Sequence, residues 1–222
     1  MLQAVLFDMD GTIVDTEPYW IAAEYRLVES FGGTWSDEHA HALVGNALIA
    51  SAEYLREHGG VPLEPEEIVE RLLDEVVRAT RDAVPWRPGA VDLLADLGRR
   101  GVPCALVTMS YERLARVVLE QLPAETFGAL VTGDQVADGK PHPEAYLTAA
   151  ARLGVDPTQC VAIEDSPTGI ASAEAAGCTV VAVPHNVPIE AAPGRHLIAS
   201  LQDVTPDTLD AVITGRTQQS RP

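Results

Sequence analysis

The chain has 222 residues, 46% of them apolar, and a formal net charge of −18. That length supports one large domain, or a core carrying a smaller inserted one. The charge argues against nucleic acid and anionic membranes as partners, and an anionic substrate would need a local positive device to approach the chain.

No signal peptide is expected, because a strand-like run begins directly after Met1, without a basic region or a small-residue cleavage site. No apolar run approaches membrane-spanning length. Cys104, Cys160 and Cys178 lie at or beside apolar runs, and no pair has metal-ligand spacing. They are expected to be core thiols of a reducing, cytoplasmic compartment.

The first predicted element is a buried strand at residues 3–7. It runs into Asp8-Met9-Asp10-Gly11-Thr12. In an open parallel sheet, ligands bind beyond the carboxyl ends of the strands, which is where Asp8 would stand. Gly11 can take a backbone conformation closed to other residues. A carboxylate at that position can act as a nucleophile and form an acyl-phosphate. A second carboxylate two residues on can move protons to and from the leaving and attacking oxygens. The plainer alternative is a polar turn in which Asp10 caps a helix.

Residues 12–16 form a short connector, and Glu17-Pro18 opens a helix, since proline suits the first helical turn. Trp20, Ala23, Leu27 and Phe31 recur at helical spacing before Gly32-Gly33 ends the run. Asp37 is expected to cap a short helix that stops before Gly45. A third helix spans 48–58, and Gly59-Gly60 closes it. Pro65 starts a fourth, on which Ile68, Leu72, Val76 and Val69, Leu73, Val77 form two adjacent apolar rows. Residues 17–82 therefore read as an all-helical unit.

Residues 84–89 break the pattern and read as a linker. Beyond it, helices and strands alternate. Strands are predicted at 103–107, 129–132, 160–163, 179–183 and 197–199. Helices are predicted at 89–100, through Leu114, Val118 and Leu122, and at 143–153, 168–176 and 206–213. The alternation predicts an α/β fold: a Rossmann-like parallel sheet with helices on both faces, and an inserted all-helical cap domain. The expected division is a core of 1–16 and 83–214, a cap of 17–82, and a disordered tail at 215–222.

Three further polar groups fall at predicted strand ends. Thr108-Met109-Ser110 offers a hydroxyl and free amides suited to phosphate oxygens. Lys140, between Gly139 and Pro141, is the only lysine; every other basic residue is arginine. A compact point charge kept in that setting suggests a functional ammonium rather than a surface cation. Glu164-Asp165-Ser166 puts two adjacent acids directly after an apolar strand, where a hard cation such as Mg²⁺ would relieve their repulsion. Strand-end placement predicts Asp8, Asp10, Thr108, Lys140, Glu164 and Asp165 on one edge of the sheet.

These four segments, extended to Ile13-Val14-Asp15 in the first and to Pro167-Thr168-Gly169-Ile170 in the last, resemble the ordered motifs of haloacid dehalogenase-like phosphohydrolases. The resemblance is strongest to the branch that contains β-phosphoglucomutase and the small phosphosugar and phosphoglycolate phosphatases. It implies Asp8 as nucleophile, Asp10 as acid/base, and Thr108 and Lys140 as holders of the phosphoryl group, with Lys140 also catalytic. It implies Mg²⁺ on Asp8, the Asp10 carbonyl, Glu164 and Asp165.

The expected function is thus a Mg²⁺-dependent phosphatase that acts on a small phosphorylated metabolite through an aspartyl-phosphate. The alternative is a phosphosugar mutase. β-Phosphoglucomutases carry a histidine where this chain has Trp20 and an arginine where it has Gly45-Asn46-Ala47, which weakens that alternative. A dehalogenase is disfavoured because those relatives lack the aspartate that Asp10 supplies. A binding module that had lost turnover would be expected to lack a nucleophile, base or ligand, and none is missing. Specificity is expected from cap residues such as Tyr19, Trp20, Gly45 and Asn46.

Overall fold

The computed structural model of the chain describes residues 2–44 and 46–219. Six parallel strands form the sheet: β1 (Ala4–Phe7), β2 (Cys104–Val107), β3 (Ala129–Val131), β4 (Cys160–Glu164), β5 (Thr179–Ala182) and β6 (Arg195–Leu197). Their order is β3-β2-β1-β4-β5-β6. β1 therefore lies between β2 and β4, with Phe7 level with Leu106 on one side and Ile163 on the other. All three strands end together, so the residues that follow them converge.

Both faces of the sheet are covered, which explains why its central strands are apolar throughout rather than alternating. Val5, Phe7, Leu106, Val161 and Ile163 pack with Leu93 and Leu97 of α5 (Ala90–Arg99), Leu114 and Val118 of α6 (Glu112–Leu119), and Leu209 of α9 (Pro206–Gln219). Ala4, Leu6, Ala105, Val107 and Ala162 pack with Ala145, Tyr146 and Ala149 of α7 (Glu144–Leu153), and with Ile170 and Ala173 of α8 (Pro167–Ala175). The second face is built largely of alanines, whose short side chains let helix and sheet approach closely. Cys104, Cys160 and Cys178 are all buried within this core.

Between β1 and α5 stand four helices: α1 (Glu17–Ser30), α2 (Asp37–Leu43), α3 (Leu48–Gly59) and α4 (Pro65–Asp82). Both predicted apolar rows of α4 are buried, and the helix packs against α1 and α3. α4 also lies on α6, where Arg113 pairs with Glu70 at 3.3 Å and with Asp74. The two connectors to the insertion run side by side. Asp15 N–H donates to Pro85 O and Arg87 N–H to Ile13 O, both at 2.9 Å, around an antiparallel bridge of Val14 with Trp86. Tyr19 Oη adds a bond to Ala83 O at 2.9 Å, so this side chain straps the connectors together.

Several boundaries differ from the sequence expectation. Ser36, not Asp37, caps α2: its Oγ accepts from His39 N–H, while Asp37 takes the Tyr25 hydroxyl. α6 stops at Leu119 and leaves Leu122 outside, because Pro123 disfavours a helical residue before it. β6 lies two residues earlier than predicted. Its register is set by pairing with β5, and as a half-buried edge strand it lacks an apolar pattern. α9 continues through Gly215 to Gln219 instead of ending at Ile213, with no proline after Pro206 to interrupt it. The last part of the expected tail, residues 220–222, lies outside the described residues, as does Gly45. Among the described residues, no helix is long and apolar enough to cross a membrane.

Candidate active site

Asp8 directly follows β1, and its backbone N–H donates to Ile163 O of β4 at 3.0 Å, so the chain is still held by the sheet there. Its side chain is buried, with 7% of the residue exposed. Lys140 Nζ reaches it from the loop before α7. The ammonium donates to Asp8 Oδ1 at 2.6 Å, to Glu164 Oε1 at 2.7 Å and to Val107 O at 3.0 Å. Its three protons are thus all engaged. Burial works against the Lys140 charge, but the Asp8 and Glu164 carboxylates outweigh it and raise its pKa above the ordinary value.

Glu164 is completely buried. Its Oε1 also accepts from Tyr146 Oη at 2.7 Å. Its Oε2 accepts from Asp165 N–H, Ser166 N–H and Ser166 Oγ at 3.1–3.3 Å. Gly169, on the first turn of α8, makes room for this carboxylate: a Cβ there would lie 1.8 Å from Glu164 Oε1. Asp165 stands on the other side of the strand end and accepts from Thr12 Oγ1 at 3.2 Å. Gly11 takes φ +85°, and a Cβ there would lie 2.0 Å from Asp165 Oδ2. That glycine is required both for its backbone conformation and for its closeness to the carboxylate.

Oxygens of Asp8, Glu164 and Asp165 lie within 4.8 Å of one another, and all three residues are buried. Burial raises the Asp8 carboxyl well above its ordinary value, with Lys140 opposing and Glu164, Asp165 and Asp10 reinforcing the rise. Burial and then Glu164 push Asp165 up to about 7. Three buried acids share one buried ammonium, so the cluster is short of positive charge. Among the described residues, the second oxygens of Asp8 and Asp165 accept no hydrogen bond, while both oxygens of Glu164 are occupied. This donor set fits a hard divalent cation held chiefly by Asp8 and Asp165.

Asp10 points elsewhere. Its Oδ1 accepts from Thr16 Oγ1, and its Oδ2 accepts from Ser110 Oγ at 2.8 Å and Thr108 Oγ1 at 3.1 Å. Burial raises its carboxyl pKa, and these three hydroxyls pull it back. Asp10 does not cap α1; Thr16 occupies that position.

All six predicted residues therefore meet at one sheet edge. The Thr108 hydroxyl differs from expectation in its partner, since here it donates to Asp10. Thr16, Ser110, Tyr146 and Gly169 join the site without having been assigned to it. Only Tyr146 carried a signal, as a phenol on an apolar helix face, which needs a buried partner. Of the residues expected to set specificity, Asn46 Nδ2 bonds Ala42 O, and Trp20 packs half-buried against the apolar core.

Known proteins resemble this chain in sequence and in fold. Hexitol phosphatase A of Escherichia coli is 37% identical over 189 residues, covering 80% of this chain and 81% of that protein. A phosphorylated carbohydrates phosphatase of Thermotoga maritima is 33% identical over 177 residues, covering 79% and 82%. Among solved structures, CbbY from Rhodobacter sphaeroides in complex with xylulose-(1,5)bisphosphate superposes with a TM-score of 0.85 at 27% identity, covering 94% of this chain and 99% of that one. The profile of the haloacid dehalogenase-like hydrolases matches residues 2–177, most of the length, and the chain belongs to that family.

Proposed function

We propose that the chain is a Mg²⁺-dependent phosphatase that hydrolyses a small phosphate monoester of a sugar or sugar alcohol through an aspartyl-phosphate on Asp8. The observation that carries this reading is the buried Asp8 carboxylate, 2.6 Å from Lys140 Nζ and beside Asp165, with Asp10 held separately by three hydroxyls. The family membership and the phosphatase names of the relatives support it.

In this mechanism the substrate phosphoryl group lies against Asp8 and the Lys140 ammonium. An Asp8 oxygen attacks phosphorus, and the bond to the departing alcohol breaks. Asp10, whose proton is favoured by burial, gives that proton to the leaving oxygen. Asp10 then takes a proton from a water that attacks the acyl-phosphate, which frees Asp8 and inorganic phosphate. Asp8, Asp165 and the Asp10 carbonyl would hold Mg²⁺, which supplies positive charge to the transferring group. Glu164 orients Lys140, since its oxygens are already filled. For Thr108 to hold a phosphoryl oxygen, its hydroxyl would turn from Asp10 to the substrate.

Residues 17–82 act as a cap on the core of 1–16 and 83–214, and closure excludes bulk water. Trp20 packs its indole in the apolar cluster and offers no imidazole for a mutase's second proton transfer. Action in the cytoplasm belongs to the same reading, with the three buried cysteines as core thiols. Release of inorganic phosphate from p-nitrophenyl phosphate and sugar phosphates, with Mg²⁺ and with excess chelator, tests the reading. Release undiminished by chelator would overturn the metal, and no release from any ester would overturn the phosphatase.

A further inference from the structure

Tyr146 is the largest fully buried side chain among the described residues, and it stands on α7 with Ala145 and Ala149, on a face built largely of alanines. A phenol is favourable in such a place only where its hydroxyl finds a partner. Here the hydroxyl donates to Glu164 Oε1 at 2.7 Å. The ring lies beneath the Lys140 ammonium, with Nζ 5.2 Å from its centroid, a distance at which a cation is drawn to an aromatic face. One side chain thus touches both members of the Lys140–Glu164 pair.

The acceptor capacity of Glu164 decides what that contact does. A carboxylate oxygen accepts along two lone-pair directions. On Oε1, Lys140 Nζ takes one and Tyr146 Oη the other, each at 2.7 Å. On Oε2, Asp165 N–H, Ser166 N–H and Ser166 Oγ leave no place for an ammonium. Lys140 is therefore confined to a single direction, from which it also reaches Asp8 Oδ1 at 2.6 Å and Val107 O at 3.0 Å. The rest of the lysine is held more softly. Its stem is flexible, and its backbone N–H donates to Met109 Sδ at 3.3 Å, a weak acceptor. The placement of the charge thus depends on the acceptors at its tip.

We propose that Tyr146 is a positioning residue for the phosphoryl transfer: its phenol fills the second acceptor direction of Glu164 Oε1 and so fixes the Lys140 ammonium where Asp8 and the phosphoryl group meet. It acts through Glu164 and Lys140 rather than on the substrate. Without the hydroxyl the second direction is open, and the ammonium can swing about Glu164 Oε1 away from Asp8. The loss falls on the transition state, since a preorganised charge helps only if it is already in place when the phosphoryl group transfers. The inference rests on the phosphatase reading.

Tyr146→Phe tests this, because it keeps the ring and removes only the hydroxyl. With Mg²⁺ present, kcat should fall roughly tenfold or more, the usual worth of a hydrogen bond to a charged group. The fall should be alike for p-nitrophenyl phosphate and sorbitol 6-phosphate, which share the phosphoryl group, while KM changes little. Orthovanadate, which mimics the five-coordinate phosphorus of the transfer, should lose affinity severalfold relative to inorganic phosphate. That ratio of inhibition constants reads only folded, competent molecules, so a fold defect leaves it unmoved. An unmoved ratio, with or without a fall in kcat, makes the phenol a packing group and overturns the inference. So does a loss confined to sorbitol 6-phosphate, which would assign the hydroxyl to protonation of the leaving oxygen. Either result leaves the phosphatase reading intact. Failure of the parent to hydrolyse any ester overturns that reading and this inference with it.

Discussion

The Lys140 ammonium lies 2.7 Å from Glu164 Oε1, and the two side chains are 5% and 0% exposed. A buried pair of this kind stabilises little by itself, but removing one partner strands the other charge. Lys140→Met leaves Asp8 and Glu164 buried without their cation. It should cost about 3–5 kcal/mol in chemical denaturation as well as abolishing turnover. A variant as stable as the parent would show that the acids are neutral without Lys140.

Gly169→Ala tests the same pair from the far side. Alanine favours a helix by up to about 1 kcal/mol over glycine. The added methyl would however sit 1.8 Å from Glu164 Oε1, inside any tolerable contact. The clash should win, with a net loss of about 1–3 kcal/mol and a lower kcat as Glu164 turns away from Lys140. A thermal melt that rises while activity holds would mean that Glu164 has room to move.

The strand-end residues were legible in the sequence because a parallel sheet gathers its carboxyl ends. Asp8, Thr108, Glu164 and Asp165 needed only that rule, and Lys140 needed only its isolation among arginines. Thr16 and Ser110 were not legible as partners of Asp10, since serines and threonines begin helices and end strands routinely. The Tyr146 phenol bonds a strand 18 residues away, and periodicity reports that a face is buried without reporting what its polar atom meets. The edge strand β6 was displaced for a related reason: half-buried, it carries no apolar alternation to fix its register.

Glu24 supplies a pH dependence that lies outside the catalytic site. It is 4% exposed inside the helical insertion, with Trp35 Nε1 donating to it at 3.3 Å. Burial raises its pKa from 4.5 to about 8, against the pull of the indole hydrogen bond. The folded chain therefore holds this proton more tightly than the unfolded one. Its contribution to stability is full below about pH 4.5 and is lost as pH rises through about 8. The melting temperature should fall across that window, and Glu24→Gln should flatten the fall. An equal slope in the variant would assign the dependence to other groups.

The metal reading makes two opposed predictions for Asp165→Asn. Without Mg²⁺, the variant should be more stable than the parent near neutral pH, because one buried acid has left a crowded cluster. With Mg²⁺, the parent should gain about 2.7 kcal/mol at a hundred times its dissociation constant, and the variant little. Denaturation curves with and without Mg²⁺ measure both. Equal Mg²⁺ responses would remove Asp165 from the ligand set.

Arg113 ties α6 to α4 of the insertion through Glu70 and Asp74, apart from the bonds between the paired connectors. All three side chains are substantially exposed, so Arg113→Ala should change stability by less than about 1 kcal/mol. If the connectors form a hinge, the same variant should increase the radius of gyration at low salt, while high salt brings the parent to the same value. Identical scattering profiles throughout would count against motion at the connectors.

Asp8 and Asp10 are separated by one residue and face different partners, which lets their roles be tested apart. Asp8→Asn keeps the shape but replaces the attacking carboxylate with an amide, a far weaker nucleophile, so turnover should vanish. Asp10→Asn removes the group that Thr16, Thr108 and Ser110 orient. It should slow alkyl phosphates by roughly a hundredfold or more, the usual worth of general acid and base help. The loss should be smaller in the first step for p-nitrophenyl phosphate, whose leaving group needs little protonation. Labelled phosphate should then accumulate on the Asp10→Asn chain, because dephosphorylation still lacks its base. Rapid quench followed by peptide mapping reads both the amount and the position of the label. Label on a residue other than Asp8, or undiminished turnover in Asp8→Asn, would refute the covalent mechanism.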